Sequence, residues 1–221
     1  MTIRKLIAVF AFAATVAVTA PAGAATLIDG ATQGFYNNSI GTSLNGTSAY
    51  FPTSGDPVID IPAGTPIDLS AAAGALGDWL TTPSTPGGSW SGLQSIPANW
   101  IVGTETAIIY AIDGGLTGLS NVVASFGIDN GIMVWLNGAF LGGHLRPGGP
   151  VAGEFTLNIG NLGDGMNFLQ ILREDHGGST GYSVSVTGDL NPDLPPVPLP
   201  ASALLLLTGL GGLAAARRRR A

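Results

Sequence analysis

Through most of its length, glycine and proline interrupt this chain too often for long helices to form. There are 34 glycines and 15 prolines among 221 residues. Glycine accepts positive φ freely and proline withholds a backbone donor, so both end regular elements. Between them lie β-branched and aromatic runs such as Ala107-Ile108-Ile109-Tyr110-Ala111-Ile112 and Ile132-Met133-Val134-Trp135-Leu136. Short β-forming runs separated by tight turns specify an all-β sandwich or barrel.

The signal is uneven along the chain. Residues 26–66 are polar and turn-rich, and strand signals there, such as Val58-Ile59-Asp60-Ile61, are weak. Asp68-Leu69-Ser70 opens one short predicted helix over residues 71–80, with Asp68 or Ser70 as N-cap and Pro83 just beyond its end. From Trp90 the β pattern strengthens. Strands are predicted over residues 107–112, 122–128, 132–136, 139–141, 154–159, 167–172 and 182–186. Asp129-Asn130-Gly131 and Asn137-Gly138 read as hairpin turns, because Asn and Gly tolerate positive φ. Residues 144–153 and 173–181 read as loops, and residues 189–200 as a stiff Pro-rich linker.

The two ends have a different character. Arg4 and Lys5 precede an apolar stretch over residues 6–18, and Ala22-Gly23-Ala24 supplies a small-x-small cleavage pattern. Residues 1–24 therefore read as a signal peptide helix, with the mature chain beginning at Ala25. At the other end, an apolar run over residues 202–216 meets Arg217-Arg218-Arg219-Arg220. The run is slightly short of the roughly 17–25 residues that cross a bilayer, and arginine snorkelling makes up the difference. Residues 201–221 are read as a transmembrane helix with a cytoplasmic arginine tail, which leaves the preceding domain outside.

Val197-Pro198-Leu199-Pro200-Ala201, followed by that helix and arginine cluster, resembles the VPLPA variant of the PEP-CTERM sorting signal. The resemblance implies a Gram-negative bacterium that makes exopolysaccharide. It also implies export and handover in the membrane to an exosortase-type processing enzyme that cleaves near the signature, while the N-terminal pattern independently makes signal peptidase the expected partner that removes the leader. It is confined to the tail and implies nothing about what the exported part does.

Charge separates along the same boundaries. Apart from the two ends, only Arg146 and Arg173 are basic, whereas all 14 acidic residues lie between the ends, a net charge of −12 for the exported part. A field of that sign excludes nucleic acid as a partner, since its recognition begins with neutralising phosphate. It is compatible with neutral sugars, divalent cations or solubility alone. Cysteine is absent, which removes disulfides, thiolate catalysis and Cys–metal sites. Two histidines, His144 and His176, are too few for a multi-histidine zinc site.

Residues 25–188 are of a size for one domain. Within them, Asp129-Asn130-Gly131 and Trp135-Leu136-Asn137-Gly138 between strands resemble the central hairpins of galactose-binding-like domains. Asn167-Phe168-Leu169-Gln170-Ile171-Leu172 is similar to a later strand of that family. The resemblance covers about Trp90 to Gly188 and implies a jelly-roll-like β-sandwich.

The densest polar cluster is Arg173-Glu174-Asp175-His176. Neighbouring side chains in an extended chain point apart, so the cluster suits ligand or cation binding, or a loop network, better than catalysis. Gly88-Ser89-Trp90-Ser91-Gly92 holds Trp where a nucleophile elbow needs Ser. Asp129, Asp164 and Glu174, with Asn130 and Asp175, are hard oxygen donors near turns and are candidates for a structural calcium ion. Trp90 and Trp100 flank Gly- and Pro-bearing loops and are candidate stacking faces for sugars, whereas mid-strand Trp135 reads as core. The expected protein is an exported, non-enzymatic surface or matrix β-sandwich with exopolysaccharide as a candidate ligand. The alternatives are a purely structural acidic matrix protein and a surface hydrolase.

Overall fold

The computed structural model describes residues 23–55 and 57–191. The predicted leader up to Ala22, the VPLPA-like stretch Val197–Ala201 and the expected transmembrane helix and arginine tail over residues 201–221 lie outside the described residues; Ala24 and Ala25 begin the first strand. The strands are β1 (Ala24–Ile28), β2 (Gln33–Gly41), β3 (Ile59–Ile61), β4 (Gln94–Ser95), β5 (Glu105–Asp113) and β6 (Leu119–Asp129). They continue with β7 (Gly131–Leu136), β8 (Ala139–Leu145), β9 (Phe155–Leu162), β10 (Met166–Glu174) and β11 (Gly181–Leu190). Their pairing is antiparallel, in a four-stranded sheet β1-β11-β6-β9 and a seven-stranded sheet β3-β8-β7-β10-β5-β2-β4. The protein is an all-β sandwich with one short helix, as the glycine-punctuated sequence predicts.

Two cores hold it together. The first lies between the sheets: Val122, Ala124, Phe126, Val184 and Val186 from the smaller sheet meet Ile108, Tyr110, Ile132, Val134, Leu169 and Ile171 from the larger. Alternation along each strand turns the remaining side chains of the larger sheet to its outer face. That face is also apolar, with Ala107, Ile109, Met133, Trp135 and Leu172, and the segments on either side of β3 between β2 and Trp90 fold back over it as a third layer. Ile40, Leu44, Phe51, Leu76 and Trp79 bury against it, and Trp79 packs edge-on to Trp135 at 5.3 Å and stacks on Trp90 at 5.8 Å.

Asn137 and Gly138, both at positive φ, join β7 to β8 in the predicted hairpin. Asp129-Asn130-Gly131 does not form one. β6 and β7 belong to different sheets, so these residues turn a corner between layers, with a cis Asp129–Asn130 peptide. All three are buried, and the Asn130 N–H bonds to the Glu174 carbonyl at 3.2 Å while its carbonyl accepts from Arg146 N–H at 3.0 Å.

β2 was not predicted. Its Asn37-Asn38 pair reads as a turn, yet Asn37 is fully buried because its amide donates to the Ala75 carbonyl at 2.7 Å and its side-chain oxygen accepts from Ser39 N–H at 2.9 Å. The predicted ten-residue helix is shorter, a 3₁₀ turn over Ser70–Ala72 running into α1 (Ala73–Leu76). Gly77 ends it at φ 58°, pressed so close to the chain that an added Cβ would lie 2.3 Å from the Pro86 carbonyl oxygen. No side chain caps it; Asp68 instead accepts from Ser70 N–H at 2.9 Å, just ahead of the turn. All seven predicted strands run further than predicted; most consequentially, β8 takes in His144, β10 takes in Arg173 and Glu174, and β11 continues past a bulge at Gly188 to Leu190, still paired with β6.

Candidate functional site

Strand direction gives the sandwich two distinct ends. β10 runs from Met166 to Glu174 and β11 returns from Gly181 to Leu190, so the chain leaves toward its C-terminus at the end opposite Glu174. The far end gathers Glu105, the segment after β4, the Asp129–Gly131 corner, residues 146–154 and residues 175–180. Arg173, Asp175, His176, Trp100, Asp129 and Glu174 all lie at this far end. Asp164 sits in the turn before β10, at the exit end, about eight residues or roughly 26 Å away along the strand. The three calcium candidates therefore do not form one site. Among the described residues, no three acidic or histidine side chains gather to hold a metal ion.

The predicted polar cluster is divided by the sheet. Arg173 pairs in register with Thr106 and Ile132 and faces the inter-sheet core, where it is fully buried. Its Nε donates to Thr106 Oγ1 at 2.9 Å and its Nη1 to the Pro97 carbonyl at 2.8 Å. Its guanidinium carbon lies 4.2 Å from the Trp100 ring centroid, 4.9 Å from Tyr182 and 5.4 Å from Tyr36. Burial lowers its pKa, and the surrounding tyrosines act against that shift. Cation–π attraction strengthens when the pair is dry, so three rings replace much of the lost hydration.

Glu174 and Glu105 face the other way, into the outer core, and both are fully buried. Gly131 makes room for Glu174, since a Cβ there would stand 2.6 Å from Glu174 Oε2. Glu174 Oε1 and His176 Nδ1 are hydrogen-bonded at 2.7 Å. Burial pushes the Glu174 pKa up to about 7, with the His176 bond pulling the other way. Glu105 rises to about 8, chiefly through burial, with added repulsion from Glu174 and Asp175. Neither Glu105 oxygen makes a well-formed hydrogen bond, and the amides of Glu105 and Leu44 offset only part of its burial. Burial also raises Asp175, which accepts from the N–H groups of Gly103 and Gly177 and so ties the loop after β4 to the loop after β10.

Trp100 stands between this interior and solvent. Its indole N–H donates to the Thr104 carbonyl at 2.8 Å, and its backbone N–H and carbonyl both bond to Thr180 Oγ1, at 3.0 and 2.9 Å. The ring is thereby fixed as one wall of a cleft of about 200 Å³, shared with Tyr36, Asn38, Pro97, Asn99, Ile101, Thr104 and Thr106. The cleft offers two aromatic rings with amide and hydroxyl groups, and no carboxylate lines it. Sequence reasoning pointed to Trp100 but missed Tyr36, Asn38 and Asn99. Trp90 is half-buried in the outer layer, where its N–H is taken by the Leu76 carbonyl at 2.9 Å. A larger cavity of about 250 Å³ near Leu76 and Trp79 carries a single carboxylate, Asp78, and no converging polar set.

No family model matches this sequence, and no curated protein matches it. Among solved structures, it is similar to an anti-sigma factor domain-containing protein at 13% identity and a TM-score of 0.34. That match covers 77% of this chain and 49% of the other, so the chain spans about half the length of that neighbour. It is also similar to a PA14 sugar-binding domain from an RTX adhesin, at 14% identity, a TM-score of 0.32 and coverage of 72% and 90%. The PA14 domain of the MpAFP antifreeze protein matches at 12% identity and a TM-score of 0.33, covering 80% and 93%. Likenesses of this size assign neither a ligand nor an activity.

Proposed function

We propose that this chain is an exported, non-enzymatic surface protein whose far end binds neutral exopolysaccharide at the Trp100 cleft. The observation that carries the reading is the cleft itself: the partly exposed Trp100, backed by the buried Tyr36, beside Asn38, Asn99 and Thr104, at the end away from the C-terminal exit. Aromatic faces suit the apolar faces of sugar rings, and amides and hydroxyls suit their hydroxyls. The cleft is smaller than the roughly 300–1,000 Å³ of enclosed small-molecule pockets, which fits one unit of a longer chain. Glu105, Asp129, Glu174 and Asp175 are buried and do not line the Trp100 cleft, which favours binding over hydrolysis there. Export rests on the two end segments, with signal peptidase acting before Ala25 and an exosortase-type enzyme acting near Val197–Ala201.

The test is calorimetric titration of the full chain in detergent against exopolysaccharide from the producing cell, with calcium present. Saturable heat is expected, weakened about tenfold or more by Asn99→Ala and by Trp100→Phe in proteins whose melting is unchanged. Absence of saturable heat, or binding indifferent to both substitutions, sinks the proposal. Release of new reducing ends during the titration would replace it with the hydrolase reading.

A further inference from the structure

We propose that the exit end of the sandwich rests on the outer face of the bilayer that holds the chain, with Leu116, Met166 and Leu190 dipping into it. All three side chains are apolar and open to solvent, at 78%, 55% and 52% exposure. The fold brings them to one place. Leu116 sits in the turn between β5 and β6, and Met166 directly follows the turn before β10. The two turns are tied together: Gly114 N–H donates to the Gly165 carbonyl at 2.7 Å and Gly165 N–H to the Gly115 carbonyl at 2.9 Å. Leu190 pairs with Leu119 and lines, with Gly115 and Gly118, a cleft of about 150 Å³ beside the first of those turns. Asn191 fastens the end of β11 there, its amide donating to the Thr117 carbonyl at 3.1 Å.

The chain outside the described residues selects the occupant. Asn191 leaves from this end, and only residues 192–201 separate it from the apolar run over residues 202–216, which is read as the membrane segment. A linker of that length reaches no more than about 36 Å. The far end lies about 33 Å further along β11, so it would meet the same surface only with the linker drawn out fully. The expected leader joins here too, because Ala24, where β1 begins, pairs with Asp189. Exposure alone would not choose this face, since Ile101 at the far end is 72% exposed; two attachments at one end do. Charge sets the lipid. Asp113, Asp164 and Asp189 lie among the three apolar side chains, whereas Arg146 and Arg173 lie at the far end. An acidic face with apolar points suits zwitterionic headgroups rather than anionic ones. Three side chains hold weakly by themselves, and the tether makes their insertion an intramolecular step. Docking of this kind needs the expected membrane segment and not the glycan cleft.

Cysteine is absent, so a label can be placed at one site at a time. Full-length chains carrying Leu116→Cys or Ile101→Cys, each with a fluorophore on the new thiol, are reconstituted in phosphatidylcholine vesicles whose headgroups bear a nitroxide quencher. Quenching is expected to be about threefold or more stronger at residue 116 than at residue 101, and to fall when Met166→Ser and Leu190→Ser are added. Equal quenching at the two sites overturns the proposal. So does quenching at residue 116 that the two serines leave unchanged, because the tether alone would then account for it. A label at residue 116 that is shielded from aqueous iodide yet not quenched by lipid overturns it in favour of cover by a second copy or by the chain's own tail. A chain that does not join the vesicles overturns it together with the expected membrane segment. Unchanged melting of each variant excludes misfolding as the cause.

Discussion

Arg173 and Glu174 are neighbours in one strand, yet the two faces of the sheet hold their buried charges in opposite ways. On the inner face the guanidinium remains a cation, with three aromatic rings, a threonine hydroxyl and a backbone carbonyl in place of water. On the outer face no comparable cage surrounds Glu105 and Glu174, and burial drives both pKa values up instead. The two-residue period of a strand keeps the opposite charges from neutralising each other. A delocalised cation can be kept in a dry interior by ring faces. A carboxylate has no such partner and takes up a proton when hydrogen-bond donors are scarce.

The largest effect that should break this comparison is removal of the cation. Arg173→Ala empties a fully buried site and strands its acceptors, Thr106 Oγ1 and the Pro97 carbonyl. A loss of about 3–5 kcal/mol in folding stability is expected from urea unfolding, with Arg173→Met losing less because it refills much of the volume. A loss below about 1 kcal/mol would mean that the caged guanidinium does not hold the far end together.

The outer face should announce itself through pH. Glu105 rises from 4.5 to about 8 and Glu174 from 4.5 to about 7. Between the unfolded and folded values the folded protein binds more protons than the unfolded chain. Stability is therefore full below about pH 4.5 and falls as pH rises through 7 and 8. A decline of several kcal/mol between pH 5 and 8.5 is expected, the larger share of it from Glu105. Glu105→Gln should change little near pH 5 and remove much of the decline. A stability profile flat from pH 5 to 8.5 in the unsubstituted protein would show that these carboxylates are not protonated in the fold.

The inner face was partly legible in the sequence and the outer face hardly at all. Leu169-x-Ile171-x-Arg173 continues the strand period, but a charged residue after an apolar run reads as the start of a loop. Its true neighbours Tyr36, Trp100 and Tyr182 are distant in the chain, so nothing local revealed the cage. Trp100 was singled out because it stands in a Pro-bearing loop, and the structure places it at the cleft. β2 was hidden for a related reason: Asn37 belongs in a strand only because the Ala75 carbonyl, 38 residues away, receives its amide. Strands 5 to 11, the Asn137-Gly138 hairpin and the fold class were readable because strand alternation and turn chemistry are local. The Asp129–Gly131 corner was misread because a hairpin and a crossing between sheets share the same turn residues.

The smallest of the three effects separates the two faces most directly. Thr106 Oγ1 accepts from Arg173 Nε at 2.9 Å, and both side chains are buried. Thr106→Val keeps the shape and removes the acceptor of the Nε N–H, adding an unpaired donor to the already unpartnered Nη2 at a cost of about 1–3 kcal/mol. Arginine keeps its proton across the accessible range, so this loss should be the same at pH 5 and pH 8.5. The effect of Glu105→Gln, by contrast, should grow between those two pH values, because it acts on a group that titrates between them. Unfolding curves for both variants at both pH values therefore sort inner from outer. A Thr106→Val loss that changes with pH would mean that the two faces titrate as one coupled network, and the separation drawn by strand alternation would fail.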